Sequence, residues 1–135
     1  MTTNRDLLRH VYEQVSRGDA QPLLDALADD IEWTIIGTTP LSGTTPLSGT
    51  FVGRQRVVDG LLRPLSARLD GPIRFTFDRF IAEGDDVVML ARAEATSVTG
   101  KPYNNSYCIV ATFADGRIRR MTDYVDTELV TSALF

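Results

Sequence analysis

The chain is poor in the residues that carry easily recognised chemistry. Its 135 residues include one cysteine, one histidine, one tryptophan and a single lysine, Lys101. The lone Cys108 excludes an intramolecular disulfide and any metal site built on several cysteines, and its apolar surroundings from Tyr107 to Ala111 read as a strand. His10 has no second histidine to share a metal with and reads as solvent-exposed on a helix, so no metal and no cofactor are expected. No stretch approaches the roughly 18 apolar residues of a membrane span, and the first residues do not resemble a signal peptide. The expectation is a cytoplasmic protein with no membrane partner. No glycine-rich run could cradle a phosphate. The net charge is −4 and the arginines are dispersed, so the electrostatic footprint of a nucleic-acid binder is missing as well. The tightest basic group, Arg117, Arg119 and Arg120, lies beside Asp115 and Asp123 and reads as a solvated strand end.

What is present is an ordinary globular composition, 43% hydrophobic and 24% charged, in a length that suits one domain over residues 1–135. Leu7, Leu8, Val11, Tyr12 and Val15 recur at helical spacing behind a Thr3/Asn4 cap, with Gly18 as the stop. Asp19 and Pro22 open a second, shorter helix carrying Leu23, Leu24 and Leu27. Ile31 to Ile36 reads as a strand bearing Trp33. Val57, Val58, Leu61, Leu62 and Leu65 then mark a helix that Pro64 bends or ends. Four β-rich runs follow, near 73–82, 86–98, 104–113 and 117–125, and Asp126 or Thr127 caps a final helical turn. Helices first and an antiparallel meander afterwards predict an α+β fold with helices on one face of a curved sheet.

Turn chemistry carries this one step further, because loop length sets register and register decides which side chains share a face. A three-residue loop at Ala114, Asp115 and Gly116 pairs Tyr107 with Asp123 and Ile109 with Met121. A two-residue loop at Gly100-Lys101, or a four-residue one from Thr99 to Pro102, pairs Glu94 with Tyr107 and Arg92 with Ile109. On this reading Glu94, Tyr107 and Asp123 form one row and Arg92, Ile109 and Met121 the next. An acid/base site needs such a polar cluster on an apolar floor. The opposite face, with Val87, Met89, Ala91, Ala93, Ala95, Cys108 and Val110, is flat and apolar, and a second subunit is its economical cover. The alternative uses the same residues: Arg92 and Glu94 as an exposed pair, with the alanine face packed under the helices.

The order of elements, together with Ala28-Asp29-Asp30-Ile31-Glu32-Trp33, Gly49-Thr50-Phe51-Val52-Gly53-Arg54 and the stretch from Tyr103 to Thr127, resembles the SnoaL-like branch of the nuclear transport factor 2-like superfamily. The resemblance implies a cone-shaped curved sheet wrapped around N-terminal helices, an internal pocket and a dimer; joined to the reading of the two faces, the expectation is an apolar pocket for a hydrophobic small molecule and a homodimer through the outer sheet face. It implies no single reaction. The ketosteroid isomerases of the superfamily use a base aspartate and an oxyanion hole of tyrosine and protonated aspartic acid. Those positions fall on Ile35, Val11 and Ile109, all apolar, which sets that chemistry aside. Tyr12 lies beside the phenol position and is expected to point elsewhere. The limonene-epoxide-hydrolase type resembles this chain at Arg92, Glu94 and Asp123, whereas its water-holding tyrosine and asparagine fall on Trp33 and Ile35. SnoaL-type polyketide cyclases use one aspartate as acid/base in a hydrophobic pocket, which resembles Asp123 with Trp33 as a wall. The candidate catalytic residues are therefore Asp123, Arg92 and Glu94, with Trp33, Ile35, Tyr107, Ile109 and Met121 as ligand contacts. The function expected is a cofactor-independent isomerase, cyclase or hydrolase; the alternative is a non-catalytic ligand-binding or structural dimer.

One feature stands outside this pattern. The hexapeptide Thr-Thr-Pro-Leu-Ser-Gly occurs twice in tandem, at 38–43 and 44–49. Two copies are far short of a solenoid period. One copy already spans the family's usual gap, so the pair reads as a duplicated loop at the pocket mouth, a candidate lid.

Overall fold

The computed structural model describes residues 2–37 and 47–135. Most of the duplicated hexapeptide, and with it the expected lid, lies outside the described residues.

Helix α1 runs Asn4–Ser16, and Thr3 caps it by accepting the Asp6 amide hydrogen. Leu8, Val11 and Tyr12 fall on its buried stripe, as the three-and-four spacing requires. Gly18 ends the turn at φ 89°, a backbone conformation that favours glycine. Helix α2, Gln21–Ala26, starts with Pro22 in its first turn, and Asp19 accepts from the Gln21 amide. Strand β1 then runs Leu27–Ile35 and β2 Gly49–Val52.

The third helical stretch has a finer structure than its apolar spacing predicts. It consists of α3 (Arg54–Val57), a π turn (Val58–Leu62) and α4 (Arg63–Ala67). Pro64 neither ends nor sharply breaks it. A proline ring clashes with the carbonyl four residues back, and here the turn before it is widened, with the Arg63 amide reaching back five residues to Val58. Strands β3 (Arg74–Glu83), β4 (Asp86–Glu94), β5 (Ser106–Ala114) and β6 (Arg117–Val125) follow, then α5 (Thr127–Leu134), capped by Asp126.

Among the described residues, six strands form one curved, unclosed sheet in the order β2-β1-β6-β5-β4-β3. The last four are the expected meander. What turn chemistry alone does not yield is the parallel pairing of β1 with β6, which sets Trp33 beside Met121 and Ile35 beside Asp123. The motif at 49–54 secures β1 from its other side. Phe51 pairs with Trp33, the Gly53 amide donates to the Ile31 carbonyl, and the Arg54 guanidinium donates to the carbonyl of Leu27, beside an irregularity in the β1/β6 register.

Both hairpin registers differ from the expected ones, with different consequences. Between β5 and β6 the loop is two residues, Asp115 at φ 53° and Gly116 at φ 75°, the backbone of a type I′ turn. An irregularity next to Thr112 then shifts the pairing, so that Ile109 faces Asp123 and Tyr107 faces Val125. The net slip from expectation is two, and Tyr107, Ile109, Met121 and Asp123 still share one face. Between β4 and β5 the ladder continues through Ala95 and Tyr103 to Ser97 and Lys101, and a three-residue loop with Gly100 at φ 86° closes it. The pairs become Met89 with Ile109 and Ala91 with Tyr107. That slip is odd, so every side chain of β4 changes face.

The expected row of Arg92 and Glu94 beside Tyr107 and Ile109 is therefore corrected: both charged residues point outward. Val87, Met89, Ala91 and Ala93 are buried on the inner face within the single chain, so the expectation that a second subunit covers this face is corrected, and the alternative, Arg92 and Glu94 exposed with the alanine face turned inward, is what the fold adopts. Two of these alanines oppose Phe75 and Tyr107 across the ladders, leaving room for Phe75 to stack edge-on against Tyr12 and Tyr107. The outer face of the middle strands carries Val88, Leu90, Cys108 and Val110, all half-buried.

Candidate functional site

Asp123 is the one acidic residue among the described core positions, 5% exposed among apolar neighbours. Strand alternation places it inward, and the parallel neighbour β1 supplies its partner: the indole N–H of Trp33 donates to Oδ1 at 3.0 Å. Desolvation disfavours the charged form of a carboxyl. Burial pushes the Asp123 carboxyl up to about 7, and the indole hydrogen bond offsets part of the rise. At neutral pH such a group holds a proton about half of the time, the condition for both giving and taking one.

Asp123 and Trp33 form part of the wall of a cavity of about 50 Å3, whose other described lining residues are apolar apart from two phenols. Ile35, Leu47, Leu61, Leu62, Leu65, Val125 and Val130 complete it with Tyr103 and Tyr107. Leu47 is the one side chain from the duplicated segment placed there among the described residues. The phenols are hydrogen-bonded to each other at 2.9 Å, and Asn105 Nδ2 donates to the Tyr103 hydroxyl at 3.1 Å. Asn105 itself is held firmly. Its Nδ2 also donates to the Asp126 carbonyl, and its Oδ1 accepts from the amides of Ser106 and Asp126. One phenol donates to the other, so of two hydroxyl hydrogens one is used inside the pair and the second remains for an acceptor. Burial is the first cause that raises both phenols, with the Asp123 charge adding to it, so they stay protonated donors.

Tyr12 belongs to this neighbourhood, contrary to the expectation that it points elsewhere. It is buried, its hydroxyl reaches Met121 Sδ at 3.8 Å, and burial together with Asp123 holds its phenol well above the ordinary range.

Of the expected site residues, Asp123, Trp33, Ile35 and Tyr107 line the cavity. Ile109 and Met121 are buried on the same inner face without lining it. Arg92 and Glu94 are not brought to it. Arg92 makes a two-pronged pair with Asp78 on the outer face, 2.9 Å at the shortest, and Glu94 is exposed near Arg74. His10 is exposed on α1. Among the described residues no three His, Cys, Asp or Glu side chains converge as metal ligands, and no helix is long and apolar enough to cross a membrane. Tyr103 and Asn105 were the residues missed. Their signal is the period-two alternation back from Ile109 through Tyr107, which reaches Asn105 inside the expected run at 104–113 and Tyr103 just before it.

A family model described as a SnoaL-like domain matches residues 8–121. An uncharacterised protein of Mycobacterium tuberculosis is 27% identical over 130 residues, covering 96% of this chain and 94% of its own. Among solved structures, an NTF2-like protein of unknown function from Burkholderia pseudomallei is 28% identical, with a TM-score of 0.84 over 99% of this chain and 98% of that one. TerC, co-crystallised with polyporic acid, is 25% identical, with a TM-score of 0.79 over 97% of each chain.

Proposed function

Because the chain belongs to the SnoaL-like domain family, we propose that it is a cofactor-independent acid/base catalyst, an isomerase, cyclase or hydrolase, acting on a hydrophobic small molecule through Asp123. The observation that carries this reading is a buried carboxyl on the wall of an apolar cavity, held, among the described residues, by one indole hydrogen bond. Asp123 transfers the proton. The Tyr103–Tyr107 pair, oriented by Asn105, donates to the oxygen on which negative charge develops, where a preset donor in a dry site acts most strongly. Trp33 positions the carboxyl. That TerC was co-crystallised with polyporic acid supports reading this fold as one that takes a ligand.

Trp33 is the only tryptophan of the chain, so its emission reports the ionisation of the carboxyl bonded to it. A midpoint near 7 in a fluorescence titration, absent in Asp123→Asn, is expected, together with Asp123-dependent deuterium exchange next to the carbonyl of a simple ketone such as 2-butanone. A midpoint near 4 with no exchange would sink the acid/base reading. The small volume of the cavity favours the second reading, a ligand-binding or structural dimer module without catalysis. Exchange that is absent while the midpoint stays near 7 would select it.

The partner proposed for the chain is a second copy on the outer sheet face, where Ile81 and Tyr124 are 41% and 47% exposed beside half-buried Val88, Leu90 and Val110. Sedimentation equilibrium is expected to give twice the chain mass, and Leu90→Glu to halve it. A monomer at all concentrations would remove the partner.

A further inference from the structure

A cavity of about 50 Å3 has room for only a few water-sized groups, too little for most molecules that an apolar site would select. Directly outside it lies a second apolar hollow of about 180 Å3, between the end of α1, helix α4 and the approach to β3. Val15, Leu69 and Ile73 are among its walls. The two spaces have two side chains in common, Leu62 and Leu65, and no other described residue lines both. Both leucines are half-buried, so neither is locked in the core.

The backbone that carries them is irregular at this point. Leu62 ends the π turn, and Pro64, between the two leucines, has no N–H to give. The helix therefore lacks part of its regular hydrogen bonding where the partition stands, and π turns of this kind recur at functional sites. Among the described residues no arginine, lysine or histidine lines either space. An anionic group would be buried there beside Asp123 with no countercharge.

We propose that cavity and hollow are two halves of one binding site for an elongated ketone or alcohol, its oxygen at Asp123 and Tyr107 and its apolar body passing Leu62 and Leu65 into the hollow. This rests on the reading of the Asp123 cavity as the ligand site and adds the class and extent of the ligand. The oxygen takes the phenolic hydrogen left over from the tyrosine pair. The hydrocarbon gains from leaving water in proportion to its length, and the gain continues past the few atoms that the inner cavity holds.

The experiment is a series of 2-alkanones, from 2-butanone to 2-dodecanone, followed by Trp33 emission. Short members are expected to bind weakly. Each further methylene should tighten binding about fourfold, the equivalent of roughly 0.8 kcal/mol per buried methylene. Ser66→Phe alters a residue that is exposed and lines the hollow alone. It should leave the short ketones unchanged and abolish the gain from length. A series that stops tightening once the inner cavity is full, or a gain untouched by Ser66→Phe, overturns the two-part site. Decanoate at pH 9 binding as tightly as 2-undecanone overturns the uncharged head. If even the short ketones leave Trp33 unaffected, the cavity reading itself fails, which is a different result.

Discussion

Asp123 and Asp78 lie on opposite sides of the same sheet, and their environments drive them in opposite directions. Asp78 sits on the outer side with Arg92 clamped to it, and that hydrogen bond holds its carboxyl below the ordinary value. Asp123 sits inside with one neutral donor, and burial raises it to about 7. Water and a cation make the first pair a solvated ornament of the surface, since exposed ion pairs contribute little. Removal of water makes the second a carboxyl whose charge is costly and whose proton is therefore available. The two shifts have different causes: a charged partner in water lowers Asp78, and the loss of water raises Asp123.

The largest effect expected from breaking that contrast is on stability against pH. A carboxyl whose folded pKa exceeds its unfolded value leaves folding unaffected below the unfolded pKa and opposes it progressively as pH rises to the folded one. For Asp123 the window runs from about 4 to about 7, and the accumulated penalty is on the order of 4 kcal/mol. Tyr12, Tyr103 and Tyr107, the titratable groups whose shifts its charge feeds, are raised and stay neutral across this window. Urea denaturation at several pH values should show the native chain losing stability from pH 4 to 7, while Asp123→Asn stays flat and is the more stable of the two at pH 8. Asp78→Asn serves as the opposite case. Its contribution is present above its unfolded pKa and is lost as pH falls, so the variant should keep the decline between pH 4 and 7 intact. A decline that survives in Asp123→Asn would show that the penalty belongs to another group.

How much of this was legible beforehand follows from parity. The inward placement of Asp123 survives because the β5/β6 register differs from expectation by two, and a side chain returns to its face after two residues. The placement of Arg92 and Glu94 fails because the β4/β5 register differs by three. Both hairpins offer a glycine near a polar residue, and neither loop has its expected length: three residues, Val98-Thr99-Gly100, stand where two or four are expected, and two, Asp115-Gly116, where three are expected. Composition separates such turns poorly, since either accepts a glycine at positive φ. The alternating apolar run on β4 held the better signal, because Val87, Met89, Ala91 and Ala93 read as a buried face without any appeal to the loop. The pairing of Trp33 with Asp123 was out of reach of local reasoning. It spans 90 residues and a parallel contact between the first and last strands of the fold, for which the family resemblance, not turn chemistry, provided the frame.

The smallest effect is expected at the tandem hexapeptide, and it bears on the inner face alone. Leu47 lines the cavity beside Asp123, and the Ser48 hydroxyl donates to the Ile36 carbonyl, so the segment just before β2 takes part in the inner site. Deleting residues 44–49 would at first sight remove both. Because the two copies are identical, the same deletion brings Leu41, Ser42 and Gly43 directly before Thr50, and the sequence entering β2 is unchanged for six residues. Halving a loop changes its closure entropy by only about 0.6 kcal/mol. The shortened chain should therefore fold, keep its outer ion pair and show the same Trp33-reported midpoint near 7. A midpoint that moves toward 4 would mean that the duplicated copy is needed to keep water from Asp123, and the contrast between the two aspartates would then depend on the loop as well as on the sheet.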